Sequence, residues 1–199
     1  ANLIVGNDRK SEALEITFKG PTIKFHSLAT ICLAGGKFKF RSNGEDLPMF
    51  TAITVPANST IKIGDFIGQG ARAYLAIRGG LPDVASYLGS KSCTPTLNLG
   101  GHQGRVLMNG DCLAIKPVTF NEHSPKCGFK LPSHCIPSLE SLEDDHVWTI
   151  RMLSGPHDTP EICSKEGLDM FYNTVYRVNL NSNRGCTKLD GPGNVFSRK

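Results

Sequence analysis

The chain offers several residue groupings whose types could do chemistry. Gly68-Gln69-Gly70-Ala71-Arg72-Ala73 has the spacing of a dinucleotide-binding fingerprint and follows a strand-like run. That fingerprint needs a helix whose N-terminus meets the pyrophosphate, whereas Ala73 to Ile77 is short, apolar and closed by Gly79-Gly80, so dinucleotide binding is set aside. Gly89-Ser90-Lys91-Ser92 resembles the end of a phosphate-binding loop but lacks a glycine directly before Lys91 and a strand leading in. His123, Cys127, His134 and Cys135 carry metal-ligating atoms, yet neither a Cys-x-x-Cys nor a His-x-x-x-His spacing is present, so no metal site is expected. Seven cysteines and six histidines single out no nucleophile–base pair.

What remains is a set of glycine-rich turns bearing polar side chains: Gly70 to Arg72, Gly79-Gly80, Gly89 to Ser92, Gly100 to Arg105 and Asn181 to Arg184. Glycine lets backbone amides approach a ligand, and Arg and Asn add oriented donors suited to planar, oxygen-bearing groups. The plainer alternative is that they are turns of a β-rich fold.

The elements that must position these turns read as short strands. Gly and Pro together make up 33 of 199 residues, from 21 and 12, an excess that suits many strands joined by turns. Apolar or alternating runs fall at Leu14–Phe18, Ile23–Phe25, Ala29–Leu33, Lys37–Phe40, Thr51–Val55, Thr60–Ile63, Tyr74–Ile77 and Val106–Ile115, with a hairpin-like turn over Arg41–Asp46. Val84–Leu88 suits a short helical turn. Residues 119–146, with three prolines and the acidic Glu143-Asp144-Asp145, read as a linker between a first β unit (1–118) and the start of a second, truncated one (147–199). In the second, Trp148–Leu153 and Val175–Leu180 suit strands, and Ser164–Tyr172 has the best helix signals in the chain: a Ser cap, an early Glu166 and apolar Leu168, Phe171 and Tyr172.

The net charge of +4 comes from scattered basic residues, so nucleic acid is not an expected partner. No apolar run approaches the ~20 residues needed to span a bilayer, and Ala1 to Asn7 does not read as a signal peptide. An odd number of widely spaced cysteines suits reduced thiols, so a soluble, cytoplasmic protein without membrane association is expected.

Taken together, four stretches resemble the allophanate hydrolase subunit 2 family, which also forms half of the carboxyltransferase domain of biotin-dependent urea carboxylase. They are Ala1-Asn2-Leu3-Ile4-Val5-Gly6-Asn7 with Ala13 to Thr17 and Gly20-Pro21; Gly70 to Ala76 with Gly79-Gly80; Leu88 to Ser92 with Leu99 to Arg105 and Gly110-Asp111; and Gly155-Pro156-His157 with Tyr176 to Val178, Asn181 to Arg184 and Leu189 to Pro192. The last stretch looks most like the fungal urea amidolyase type, in which urea carboxylase is fused to allophanate hydrolase.

The resemblance implies a mainly β fold of two connected cyclophilin-like barrel units with one short helix in the second. It implies carboxyl transfer from carboxybiotin to urea, giving allophanate. Biotin would be carried on another domain, ATP used at another domain, and the partners would be the biotin carrier and biotin carboxylase domains and a subunit 1-type domain. Arg72, Ser90, Gly100, Gly101, Arg105, Asn183 and Arg184 stand on the family's motifs and are the expected substrate-binding residues. Arg72, Asn183 and Arg184 are expected at the urea and biotin oxygens, with Gly100-Gly101 as an amide cradle; no residue is identified as the base. The family's Gly-Pro-Met-Asp motif is absent, and Cys186, Thr187 and Lys188 stand where relatives carry Gly, an aromatic residue or Val, and Arg. A fragment inactive on its own is therefore expected. Two other readings belong to the same family: a subunit of a 5-oxoprolinase-type complex, and a regulatory or binding module without catalysis.

Overall fold

The computed structural model describes residues 1–68, 70–116, 128–136 and 151–191. The fold is mainly β, and the chain divides into two compact units, residues 1–146 and 147–199.

The first unit begins with a four-residue helix, α1 (Asn2–Val5). Eight strands follow: β1 (Leu14–Thr17), β2 (Thr22–Phe25), β3 (Ala29–Gly35), β4 (Phe38–Ser42), β5 (Glu45–Asp46), β6 (Ile53–Val55), β7 (Ser59–Phe66) and β8 (Arg72–Ile77). They form two antiparallel four-stranded sheets, ordered β1-β8-β3-β6 and β2-β7-β4-β5. Strand alternation decides which side chains enter the core. Phe38 and Phe40 from β4 and Ile61 and Ile63 from β7 meet Ile31 and Leu33 from β3 and Leu75 from β8 in one buried cluster. The β4–β5 hairpin turns on Asn43 and Gly44, both left-handed as a two-residue hairpin requires. β3 is buried along most of its length because the opposite face of its sheet is also covered. There Ile4 and Val5 of α1 pack on Cys32, Ala52 and Ala76.

Between 106 and 116 the expected strand does not form: the segment is a turn at Asn109-Gly110 flanked by irregular backbone. Val106 and Met108 stay exposed, while Leu113 and Ile115 cover the core edge without pairing to a strand. Val84–Leu88 forms no helix; Leu81 and Val84 close on the core through a turn instead. Of the segment read as a linker, residues 128–136 are described. Gly128 donates to the Ala52 carbonyl, Ala52 to that of Phe129, and Leu131 to that of Phe50.

In the second unit α2 (Lys165–Asn173) starts where the Ser164 Oγ accepts from the Gly167 N–H at 3.0 Å, a side-chain cap of the kind its sequence predicts. A two-stranded ribbon, β9 (Arg177–Val178) and β10 (Leu189–Asp190), completes the described residues. Phe171 touches Tyr172 and Tyr176 at ring-centre separations of 5.4 and 5.7 Å. Of the expected strand at Trp148–Leu153, residues 148–150 lie outside the described residues and 151–153 are irregular. Val175–Leu180 is reduced to the two residues of β9.

Candidate functional site

Arg72 opens β8, and its backbone is pinned from both sides. The Ala71 carbonyl accepts from the Phe18 N–H at 2.9 Å, and the Arg72 carbonyl accepts from the Gly36 N–H at 2.7 Å. A Cβ on Gly36 would run into the Gly70 carbonyl, and one on Gly35 would sit 2.7 Å from the Arg72 oxygen, so only glycine permits this close crossing. The register places Thr17 opposite Arg72 and Glu15 opposite Tyr74. Those four side chains therefore share the sheet face turned away from Ile16, Ala73 and Leu75 in the core. Arg72 Nε lies 3.6 Å from Glu15 Oε1, close enough for an ion pair and too long for a hydrogen bond. Nε is buried with no hydrogen-bond partner among the described residues, whereas the terminal nitrogens are not buried and likewise make no hydrogen bond there. Arg72 thus presents a rigidly based guanidinium fork, the geometry that suits planar oxygen groups.

Ser90, Gly100, Gly101 and Arg105 gather in a second place, the folded loop from Tyr87 to Asp111. Tyr87 and Ser90 exchange backbone hydrogen bonds, as do Thr94 and Leu99. Ser90 Oγ accepts from the Ser92 N–H at 3.1 Å. Cβ atoms on Gly100 and Gly101 would strike the Ser92 carbonyl and the Cys93 Cβ, so both glycines are needed for chain to cross chain. Arg105 holds the loop shut: Nη1 and Nη2 donate to Asp111 at 2.7 and 2.8 Å, with further bonds to the Val106 carbonyl and Gln103 Oε1. The Arg105 guanidinium, first, and then the Met108 N–H hold the Asp111 carboxyl well below the usual carboxylate range. His102 Nε2 lies 3.8 Å from the same carboxylate.

A third cluster ties the start of the chain to the end of β8. Asn7 Nδ2 donates to the Ile77 carbonyl at 2.8 Å while its Oδ1 accepts from the Gly79 N–H at 2.8 Å. Glu12 Oε1 accepts from the Leu81 N–H and from Lys91 Nζ, the latter at 3.0 Å. Burial pushes the Glu12 carboxyl up, but its backbone hydrogen bonds and Lys91 outweigh this and leave it below its ordinary value.

In the second unit Asn183 Oδ1 accepts from the Gly185 and Cys186 N–H groups at 2.8 and 3.1 Å, shaping the turn that carries Arg184. Lys188 is held through its backbone, its N–H donating to Ser182 Oγ at 3.0 Å and its carbonyl accepting from the Asn179 N–H at 2.8 Å.

Of the seven expected site residues, the structure brings Ser90, Gly100, Gly101 and Arg105 into one loop cluster, sets Arg72 on a sheet face beside Glu15, and places Asn183 and Arg184 in a separate turn. Sequence reading missed Glu15, Glu12, Asn7 and Asp111 as partners. Each stands inside or beside a quoted motif, which is the signal that was available. Among the described residues no three metal-ligating side chains converge; His123 and Cys127 lie outside those residues. No helix among the described residues is long and apolar enough to cross a membrane.

Compared with known proteins, residues 1–198 match the family described as carboxyltransferase domain, subdomain A and B. Urea amidolyase of Saccharomyces cerevisiae is 36% identical over 198 residues, covering 100% of this chain and 10% of that protein. A 5-oxoprolinase subunit of Escherichia coli is 36% identical over 192 residues, covering 96% of this chain and 56% of that protein. Among solved structures, Kluyveromyces lactis urea amidolyase superimposes with a TM-score of 0.81 at 35% identity, over 100% of this chain and 12% of that one. The chain therefore spans a small part of the length of its urea-processing relatives.

Proposed function

The chain belongs to the carboxyltransferase domain, subdomain A and B, family, and from that membership we propose that it is part of the carboxyltransferase domain of a urea carboxylase or urea amidolyase, acting on urea to give allophanate. The observation that carries this reading is likeness along the whole chain, in sequence and in fold, to proteins named for that chemistry. Carboxybiotin, delivered by a biotin-bearing domain elsewhere, would supply the activated carboxyl group; ATP would be used at a biotin carboxylase domain.

Urea and the biotin ring share one chemical feature, a planar ureido carbonyl. The residues present suit it. The exposed terminal nitrogens of Arg72 can donate to such an oxygen, and donors fixed in advance favour the charge that develops there during transfer. Asn183 and Arg184 are proposed as substrate-binding residues of the second unit, on the turn that Asn183 shapes. Ser90, Gly100, Gly101 and Arg105 form the loop proposed to flank the bound groups, with Arg105 keeping its shape through Asp111. The domain division into a first β unit, a linker at 119–146 and a second unit stands as part of the same proposal.

The test is urea-dependent ATP hydrolysis by the full-length parent protein, repeated with Arg72→Ala and Asn183→Ala. Expected is a loss of at least tenfold in kcat/KM for urea with each. Wild-type rates in both variants would overturn the site assignment. A parent that turns over ATP with 5-oxoproline and not with urea would overturn the substrate.

A further inference from the structure

The Arg72–Glu15 pair has a geometry that a purely structural ion pair does not need. The two side chains are 35% and 25% exposed, lie diagonally across β1 and β8 on one sheet face, and approach at 3.6 Å between Nε and Oε1. Nε, the nitrogen turned to Glu15, is buried without a hydrogen bond, and the outer fork of the guanidinium is left to other partners. Glu15 thus sits behind the fork and cancels its charge without occupying its donors. Tyr74, directly opposite Glu15, borders the same face. The Gly35-Gly36 crossing fixes the backbone from which Arg72 projects.

We infer that Glu15 sets the charge preference of Arg72, so that the pair takes the oxygen of an uncharged ureido or carboxamide group and disfavours a carboxylate. That the pair lies within the substrate site rests on the functional reading above; the charge preference itself rests on the pair. A bare guanidinium fork prefers carboxylates, which match it with two oxygens and a full charge. A fixed carboxylate a few ångströms behind the fork opposes an incoming anion and leaves a neutral carbonyl untouched, an effect on the order of tenfold at a partly exposed site. Glu15 is accordingly a positioning residue, acting through Arg72.

The test uses the 15N-labelled full 199-residue chain and follows the Arg72 Nε–H signal during titration with urea and, separately, with acetate, at matched concentrations well below those that unfold proteins. In the wild type, urea is expected to shift the signal saturably and acetate at least fivefold more weakly. Glu15→Gln should raise acetate binding about tenfold relative to urea, and Glu15→Asp, which keeps the charge, should restore the preference. The inference is overturned if acetate binds the wild type as well as urea does, if neither probe shifts the signal, or if Glu15→Gln leaves the ratio unchanged. The wild-type comparison stands even where a variant fails to fold. If the preference holds while the parent shows no urea-dependent ATP turnover, the functional reading falls and the charge preference remains.

Discussion

Arg105 and Asp111 meet through two parallel hydrogen bonds, Nη1 to Oδ2 at 2.7 Å and Nη2 to Oδ1 at 2.8 Å, and this pairing holds together a loop that has no regular secondary structure over residues 98–116 beyond one bridging residue. Lys has one point of donation and cannot reproduce a two-pronged bond. In Arg105→Lys, amide exchange over Gly100 to Asp111 should quicken while exchange in β3 and β8 stays unchanged. Equal protection in the variant would show that the loop closes without the fork.

The same pair fixes a pH dependence. Asp111 has its folded-state carboxyl depressed, chiefly by Arg105, so its contribution to stability is complete above the unfolded value of ~3.9 and is lost only as pH falls toward the lower folded value. NMR titration of the Asp111 side-chain carbon should show no inflection between pH 7 and ~4. An inflection near the ordinary carboxylate value would contradict the geometry.

Glu12 bridges the Leu81 N–H and Lys91 with a side chain that is 14% exposed. Removing a shielded charged acceptor costs about 1.5–3 kcal/mol, so Glu12→Ala should lower Tm by several degrees. The folded carboxyl is again depressed, so the stability it gives is present above its unfolded value and fades in acid. The stability difference between wild type and variant should therefore shrink as pH drops below ~4; a constant difference would count against the ionised bridge.

Glycine positions separate by cause. Gly44 has φ +88° with open space around it, so Gly44→Ala should cost about 1 kcal/mol for the backbone alone. Gly36→Ala forces a methyl group onto the Gly70 carbonyl and should cost about 3 kcal/mol or more, moving β8 as it does so. Chemical denaturation of the two variants decides the order, and a reversed order would refute the crossing of Gly35-Gly36 over Gly70 to Arg72.

Ser164 caps α2 through Gly167, and Ser164→Ala should remove about 1 kcal/mol from that helix. Far-ultraviolet dichroism of the variant should show reduced helicity, with Ser164→Asp restoring it. Unchanged helicity would mean that packing of Phe171 on Tyr176, not the cap, sets where α2 begins.

Local patterns made the first unit readable. β1, β2, β3, β4 and β8 each lie on an apolar or alternating run, and Asn43-Gly44 fell inside the hairpin turn expected at Arg41–Asp46. The Ser164 helix was legible because cap, early acid and apolar spacing agree within nine residues. Residues 106–115 misled because Val106, Leu107 and Met108 look like strand residues and stand exposed. α1 was not foreseen, since four residues with no side-chain cap carry no periodicity; burial of Ile4 and Val5 on Cys32 holds it.

Site residues were legible by type and not by partner. Arg105 reads as a donor for a ligand until Asp111, six residues on, is seen to take two of its bonds. Asn7 and Gly79, and Glu12 and Lys91, are 72 and 79 positions apart, beyond any local window. Glu15 reads as the outward residue of an alternating strand, and only the β1–β8 register sets it behind Arg72.

Cys32 lies fully buried under Ile4 and Val5, and that burial pushes its thiol up to about 11, so at neutral pH it is almost wholly protonated and shielded from electrophiles. The molecule thereby carries its own stopwatch: an opening of the cluster around Cys32 uncovers one sulfur, and the alkylation rate of that sulfur counts how often this side of the sheet comes undone.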